Sequence, residues 1–195
     1  MKTKIISTLF PVPFFFLLLS SCSLFDLRDP EEPAQSRSSF IEPFSPEDVP
    51  ENLKSAYYYG NTNNYKRCLL PETFVFISSP ELQNEIPNLN SDQDVSSFDG
   101  LNRDIEFKVG DVISREAIIL DWTGISVVNQ IDSVEWKADY TLQIPNIGAT
   151  DYSKYIQGKI ILNLKRVDNL WYVSKWRDYS VSGGYCWSQL KQRFR

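Results

Sequence analysis

Over the C-terminal half of the chain, apolar and polar side chains alternate. Val134, Trp136, Ala138, Tyr140 and Leu142 share one parity, with Glu135, Lys137, Asp139, Thr141 and Gln143 on the other. A period of two assigns each set to one face of a strand, and a polar set means that only one face is buried. Ile156, Ile160, Leu162 and Leu164 repeat the pattern against Gln157, Lys159, Asn163 and Lys165, and Ile118, Leu120 and Trp122 begin it. Asp168-Asn169 is a turn pair leading into a last strand over Leu170–Asp178, where Tyr172 and Trp176 share parity. Such strands, joined by short turns and wet on one face, predict an antiparallel sheet covered on one side.

The cover comes from the other period. Ser45-Pro46-Glu47-Asp48 offers a capping serine, a proline at the first helical position and a carboxylate three residues after the cap. Val49, Leu53, Ala56 and Tyr57 then line one helical face until Gly60. A short helix over Asn61–Leu70 groups Tyr65, Cys68 and Leu69 before Pro71, and Thr73–Ser78 is rich in strand formers. Asp92–Asn102 carries a thin helical stripe of Val95, Phe98 and Leu101, interrupted by Gly100. At the end, Trp187, Leu190 and Phe194 recur at helical spacing beside Lys191, Arg193 and Arg195, which reads as a basic helix end covering the sheet or docking a partner. The fold class is α+β, with N-terminal helices packed against a curved antiparallel β-sheet.

The first residues follow neither pattern. Lys2 and Lys4 precede an uncharged run from Ile5 to Leu19, broken by Pro11 and Pro13, and Leu19-Ser20-Ser21-Cys22 closes it. The run is too short and interrupted for a comfortable membrane span. An ordinary secretory signal is one reading. The closing four residues resemble the lipobox of bacterial lipoproteins, which implies cleavage before Cys22 and acylation of that cysteine. On that resemblance residues 1–21 are a signal peptide, 22–44 a lipidated cysteine and flexible tether, and 45–195 the folded domain. Pro, Ser and Glu dominate the tether, although Phe40, Ile41 and Phe44 are candidates to pack onto the domain. The partner implied is a lipid bilayer, held by acyl chains at Cys22, in the bacterial cell envelope. Ser23, rather than Asp, after the cysteine resembles an outer-membrane destination if the cell is Gram-negative.

The order of elements also carries a resemblance. Leu53-Lys54-Ser55-Ala56-Tyr57 on the first helix, Tyr65–Phe76 across the second helix and first strand, and Trp171–Asp178 at the end resemble the cone-shaped cystatin-like fold of the nuclear-transport-factor-two-like superfamily. The resemblance covers about Ser45–Asp178 and implies a pocket at the open end of a cone. Trp122, Trp136, Tyr140, Tyr172 and Trp176 are the candidate lining, either for a small apolar ligand or simply as filling for the cone. The superfamily holds isomerases, polyketide-cyclase-like enzymes and non-catalytic binding domains, so the fold does not choose among them.

Composition narrows that choice. The 195 residues contain no histidine, which removes the His–Asp pair of the dehydratase-like members. The formal charge of −5 argues against a nucleic-acid partner, since phosphate binding relies on surplus Lys and Arg. An isomerase needs a carboxylate base with Tyr, for which Asp121, Asp139 and Tyr140 are available, but parity turns both aspartates away from the apolar face. Arg177 and Asp178 are read as structural ion-pair residues, paired with each other or elsewhere. No spacing of His, Cys or acidic residues suggests a metal, and Gly183-Gly184 lacks the lysine and helix of a phosphate loop, so no cofactor is expected. With Cys22 committed to lipid, Cys68 and Cys186 are the candidates for a disulfide. The favoured reading is a non-catalytic ligand-binding or protein-interaction module whose partner is an envelope protein or a small apolar ligand. The alternatives are an isomerase- or polyketide-cyclase-like enzyme using Asp and Tyr, and a purely structural envelope component.

Overall fold

Alternation in the C-terminal half produces four long strands. The computed structural model describes residues 40–109, 112–145, 155–181 and 184–195. The signal segment, Cys22, Ser23, the tether to residue 39 and Gly183 lie outside the described residues. The elements are α1 (Asp48–Tyr59), α2 (Thr62–Arg67), β1 (Val75–Ile77), β2 (Leu89–Asn90), α3 (Ser91–Asp104), β3 (Glu106–Val109) and β4 (Val112–Arg115). They are followed by β5 (Ile119–Asn129), β6 (Ser133–Gln143), β7 (Tyr155–Val167), β8 (Leu170–Ser180) and α4 (Trp187–Arg193).

The main sheet has the order β2-β1-β8-β7-β6-β5, and β5 through β8 are antiparallel neighbours. The sheet is mixed rather than purely antiparallel, because β1 runs parallel to β8. The chain reaches β1 from the helical side, having already bonded to the same edge at Cys68–Leu70, and so enters in the direction of β8. The strand expected over Thr73–Ser78 shrinks to three residues: Phe74 N–H folds back onto Leu70 O (2.9 Å), and the Ser78 hydroxyl turns to Ile86 O (2.9 Å).

Inward faces follow the predicted parity along β6 and β7. Trp136, Ala138, Tyr140, Leu142, Ile160 and Leu162 are buried there. Gly158 on β7 is required by space: a Cβ there would lie 2.5 Å from Tyr140 Oη, so only glycine lets that ring cross the strand. At the β7–β8 turn, Asp168 and Asn169 both take left-handed backbone angles (φ 49° and 68°), as a two-residue hairpin needs. Parity fails once, in β8. Leu164 pairs with Val173 and Asn163 with Lys175, so Ser174 is an extra residue, and its hydroxyl bonds Asn163 O (2.9 Å). The bulge shifts the phase, so Trp171 and Val173 face inward before it and Trp176 and Asp178 after it.

Helices cover the inner face. Val49, Leu53, Ala56 and Tyr57 of α1, Tyr65 of α2, and Phe98 and Leu101 of α3 join the sheet residues in one core. The expected cap at Ser45 instead closes a turn ahead of α1, the Asp48 carboxylate accepting from Ser45 N–H (2.8 Å). α3 is longer than its stripe suggests, since Asn90 and Gln93 form a reciprocal capping box (3.0 and 3.1 Å). Gly100 in its middle admits the backbone of Phe194, whose carbonyl a Cβ would meet at 2.5 Å. β3 and β4 form a separate hairpin, and Arg115 from it donates to Tyr57 O (3.1 Å) and Tyr58 O (2.9 Å), filling carbonyls that the end of α1 leaves open.

The folded part also starts earlier than Ser45. The Asn52 side chain bonds both the N–H and C=O of Ile41 (2.9 and 2.6 Å), Pro43 O accepts from Trp171 N–H (2.9 Å), and the Arg67 guanidinium lies 3.7 Å over the Phe40 ring. Ile41 and Phe44 themselves remain largely exposed.

Candidate functional site

The interior of the cone is organised around α4. Trp187, Leu190 and Lys191 share one face of this short helix, and all three are buried. The Gln189 side chain accepts from Cys186 N–H (2.9 Å) to start the helix. Trp187 then stands among the rings of Tyr140 (4.3 Å), Trp176 (4.6 Å), Tyr57 (5.6 Å) and Trp122 (5.8 Å). Its indole N–H donates to Tyr57 Oη (2.9 Å) and its backbone N–H to Tyr140 Oη (2.7 Å). A buried ring of this size supplies much of the apolar contact that holds α4 in place.

Two buried carboxylates flank the tryptophan. Asp178, placed inward by the β8 bulge, accepts from Tyr140 Oη (2.8 Å) on one oxygen. Its other oxygen accepts from Ser188 N–H (2.7 Å) and Ser188 Oγ (2.6 Å), and the Cys186 thiol adds a further bond. Burial raises the Asp178 pKa, and these hydrogen bonds only partly oppose it. Burial likewise pushes the Cys186 thiol up to about 12, with the neighbouring Asp178 adding to it. A thiol so placed stays protonated and is a poor nucleophile.

Asp94 on α3 forms the second centre. Its oxygens accept from Lys191 Nζ (2.6 Å) and Tyr65 Oη (2.6 Å), and Lys191 also donates to Tyr65 Oη (2.9 Å). The ammonium lies 4.9–5.4 Å from the ring centres of Tyr65, Phe76 and Trp176, within cation–π range. Burial lowers the Lys191 pKa, while the Asp94 charge pulls it back up. The Ser97 hydroxyl holds the Lys191 carbonyl (2.9 Å), fixing the last turn of α4 to α3. Both oxygens of each carboxylate therefore accept hydrogen bonds, from α4 and from Tyr140 or Tyr65, whereas the Trp176 indole N–H beside them is buried without a partner.

The residues singled out in the sequence are placed as follows. Trp136, Tyr140 and Trp176 lie in the packed core, at most 3% exposed. Trp122 is half-buried at its edge, 5.1 Å from Trp136. Tyr172 does not join Trp176, because the bulge turns it to the opposite face, where it lines a groove with Phe40, Arg67 and Leu170. Asp121 and Asp139 are exposed, as parity requires, and Asp139 pairs loosely with Lys159 (3.8 Å). Asp178 does not pair with Arg177, whose guanidinium approaches Glu135 (3.8 Å) on the outer face.

Cys68 and Cys186, the candidates for a disulfide, are both free and buried. Cys68 is tied to Val173 through its backbone, whereas Cys186 contacts Asp178, five residues along β8. At about 3.3 Å per residue the two thiols sit at different levels of the strand, beyond the reach of a bridge. The sequence reading missed Asp94, Tyr57, Tyr65, Ser188 and Lys191 as site residues. Lys191 was legible only as part of the Trp187-Leu190 face, four residues after the tryptophan. Among the described residues, no three His, Cys, Asp or Glu side chains gather as a metal would need.

No known family profile matches the chain, and no curated protein matches it in sequence. Solved structures do. A protein from Kribbella flavida superposes with a TM-score of 0.54 at 11% identity, over 75% of this chain and 93% of that one. A nuclear-transport-factor-two-like (NTF2-like) protein from Cytophaga hutchinsonii matches with a TM-score of 0.51 at 11% identity, over 69% and 94% of the two chains. The fold is NTF2-like. A third match, a putative aromatic ring hydroxylase from Novosphingobium aromaticivorans, has a TM-score of 0.51 at 9% identity over 69% and 85%. Identities this low establish the NTF2-like architecture and nothing about chemistry.

Proposed function

We propose that this chain is a lipid-anchored protein of the bacterial envelope whose NTF2-like domain works as a binding or interaction module and not as a catalyst. The observation that carries the second half is the occupied interior: Trp187 and Lys191 fill the cone, and the two buried carboxylates are satisfied by α4 together with Tyr140 and Tyr65. A catalytic carboxylate must face substrate with a free oxygen, and neither Asp94 nor Asp178 does so. The anchor is supported by Leu19-Ser20-Ser21-Cys22 after an uncharged run, and Ser23 favours the outer membrane in a Gram-negative cell. Recognition then takes place on the outside of the domain, with an envelope protein or an apolar ligand as partner.

A second reading draws on one contact. Tyr140 Oη and Asp178 stand 2.8 Å apart, the pair of residue types an isomerase- or cyclase-like enzyme needs, and withdrawal of α4 would uncover them. The two readings separate in one bacterial expression strain. Radiolabelled palmitate should enter the wild-type chain and not Cys22→Ser, and an unlabelled wild-type chain would end the anchor proposal. Trp fluorescence titrated with a steroid or polyketide analogue should not change on the module reading. Saturable quenching that disappears in Tyr140→Phe would favour the enzyme.

A further inference from the structure

The β5–β6 and β7–β8 turns lie at the same end of the main sheet, yet they are built from opposite residues. Asp168-Asn169, between β7 and β8, is the polar pair that a tight turn favours. Between β5 and β6 the corners are Ile131 and Asp132, and Ile131 is 98% exposed. The turn is closed beneath it: Gln130 N–H donates to Ser133 O (2.8 Å) and the Ser133 hydroxyl to Gln130 Oε1 (2.9 Å). A large aliphatic side chain is thus held outward where polar residues are the rule, and it adds nothing to the core.

A second such side chain stands at the same end. Arg166 N–H donates to Asp132 O (3.3 Å), Arg166 pairs with Trp171 across β7 and β8, and Trp171 N–H donates to Pro43 O (2.9 Å). These links run side by side across the sheet, which sets Asp132 and Pro43 about 15 Å apart, three strand spacings. Phe44, next to Pro43, is 69% exposed, and its N–H is fixed to Glu42 O (2.8 Å). Half-buried Val167 and Leu170 belong to the turn between them. Lys165 and Arg166 balance Asp132 and Asp168 around the two turns, so their charges do not repel an anionic surface.

We propose that this end of the domain rests on the membrane, with Ile131 and Phe44 entering the interfacial region of a phospholipid bilayer. The inference rests on the lipid anchor at Cys22. The chain enters the domain at this same end, where Phe40 lines a groove with Leu170 and Tyr172. Cys22 precedes Phe40 by eighteen residues. A chain of that length spans about 60 Å at most, so a bilayer holding Cys22 is joined to the domain through this end. Two inserted side chains bind a bilayer weakly by themselves, and the anchor supplies the effective concentration that makes them count. Insertion sets the long strands end-on to the bilayer and leaves the outer face of the sheet open to an envelope partner.

Fluorophore labelling tests this in the full chain, reconstituted into vesicles of phosphatidylethanolamine and phosphatidylglycerol. Cys68 and Cys186 are buried, so in an acylated chain Phe44→Cys or Ile131→Cys supplies the one reactive thiol, at a position too exposed to disturb folding. Each label should lose about half or more of its emission when the lipid carries a nitroxide on its acyl chain. Val181→Cys, exposed beyond the opposite end of β8, should keep its emission. Palmitate labelling of Cys22 reads the anchor separately. An acylated chain whose labels at 44 and 131 are quenched no more than the one at 181 overturns this proposal and leaves the anchor standing. An unacylated chain, tested with Cys22→Ser to keep the label single, supports the membrane-facing end if it binds vesicles with both labels quenched. If it does not bind, the anchor and the proposal fall together. A label at 131 that is shielded without lipid, and only at high protein concentration, assigns the end to a second copy and overturns the proposal equally.

Discussion

The two ends of α4 are fastened by different chemistry. At its start, Asp178 is met by neutral donors: a phenol, a hydroxyl, a thiol and a backbone N–H. At its last turn, Asp94 is met by an ammonium and a phenol. Both carboxylates are fully buried. Neutral donors spread the charge without cancelling it, so Asp178 stays uncomfortable as an anion and its pKa rises. An ammonium cancels the charge, but it must itself be desolvated, so the pair depends on both members being present. One end is thus sensitive to protonation and the other to deletion.

The largest effect is expected where the ion pair is cut. Lys191→Ala leaves Asp94 buried with only the Tyr65 phenol as partner and should cost about 3–5 kcal/mol of unfolding free energy in urea titration. Replacing both partners, Asp94→Leu with Lys191→Met, should recover most of that loss, because the penalty arises from the stranded charge. If the double variant is no more stable than the single one, the contrast between the two ends fails.

Asp178→Asn should cost less at neutral pH, about 1–3 kcal/mol, since the amide keeps one acceptor but faces the Ser188 donors with an NH₂ group. Its pH dependence carries the distinguishing sign. A carboxyl whose folded pKa is raised takes up its proton in the folded chain before the unfolded one does. The wild type therefore gains stability relative to Asp178→Asn as pH falls through the raised pKa towards the ordinary carboxyl range. Paired unfolding curves at pH 7 and pH 4 should show the cost of the substitution growing in acid. A cost that shrinks in acid would contradict a raised pKa. The smallest effect is expected at Asp139→Asn, where an exposed pair with Lys159 (3.8 Å) is lost. That change should stay below about 1 kcal/mol in the same titration.

Much of the fold was legible because β6 and β7 keep one phase along their whole length, so each apolar residue declares its face locally. The first and third helices were legible for the same reason. What failed depended on a single inserted residue or on a distant partner. Ser174 adds one residue to β8, so a single parity cannot hold along the strand: Trp176 and Asp178 face inward together, while Tyr172, of the same parity, leaves the core. Lys191 read only as part of a basic helix end, because nothing near it in the chain announces Asp94 almost a hundred residues earlier. The parallel pairing of β1 is likewise a product of how the chain returns to the sheet, which no local pattern encodes. The apolar face of α4 was visible, whereas its destination in the middle of the cone was not.

The indoles of the core have an optical consequence. Trp136 lies 5.1 Å from Trp122, Trp122 5.8 Å from Trp187, and Trp187 4.6 Å from Trp176, at steep mutual angles. Chromophores this close and this obliquely set share their excited states, so the four rings should absorb as one coupled chain with a strong near-ultraviolet circular dichroism signal. Trp187 is the link between the two halves of that chain and the only one of the four carried by α4. The molecule therefore contains its own reporter: detaching the last helix would split the coupled chain in two and change the spectrum while the sheet remained folded.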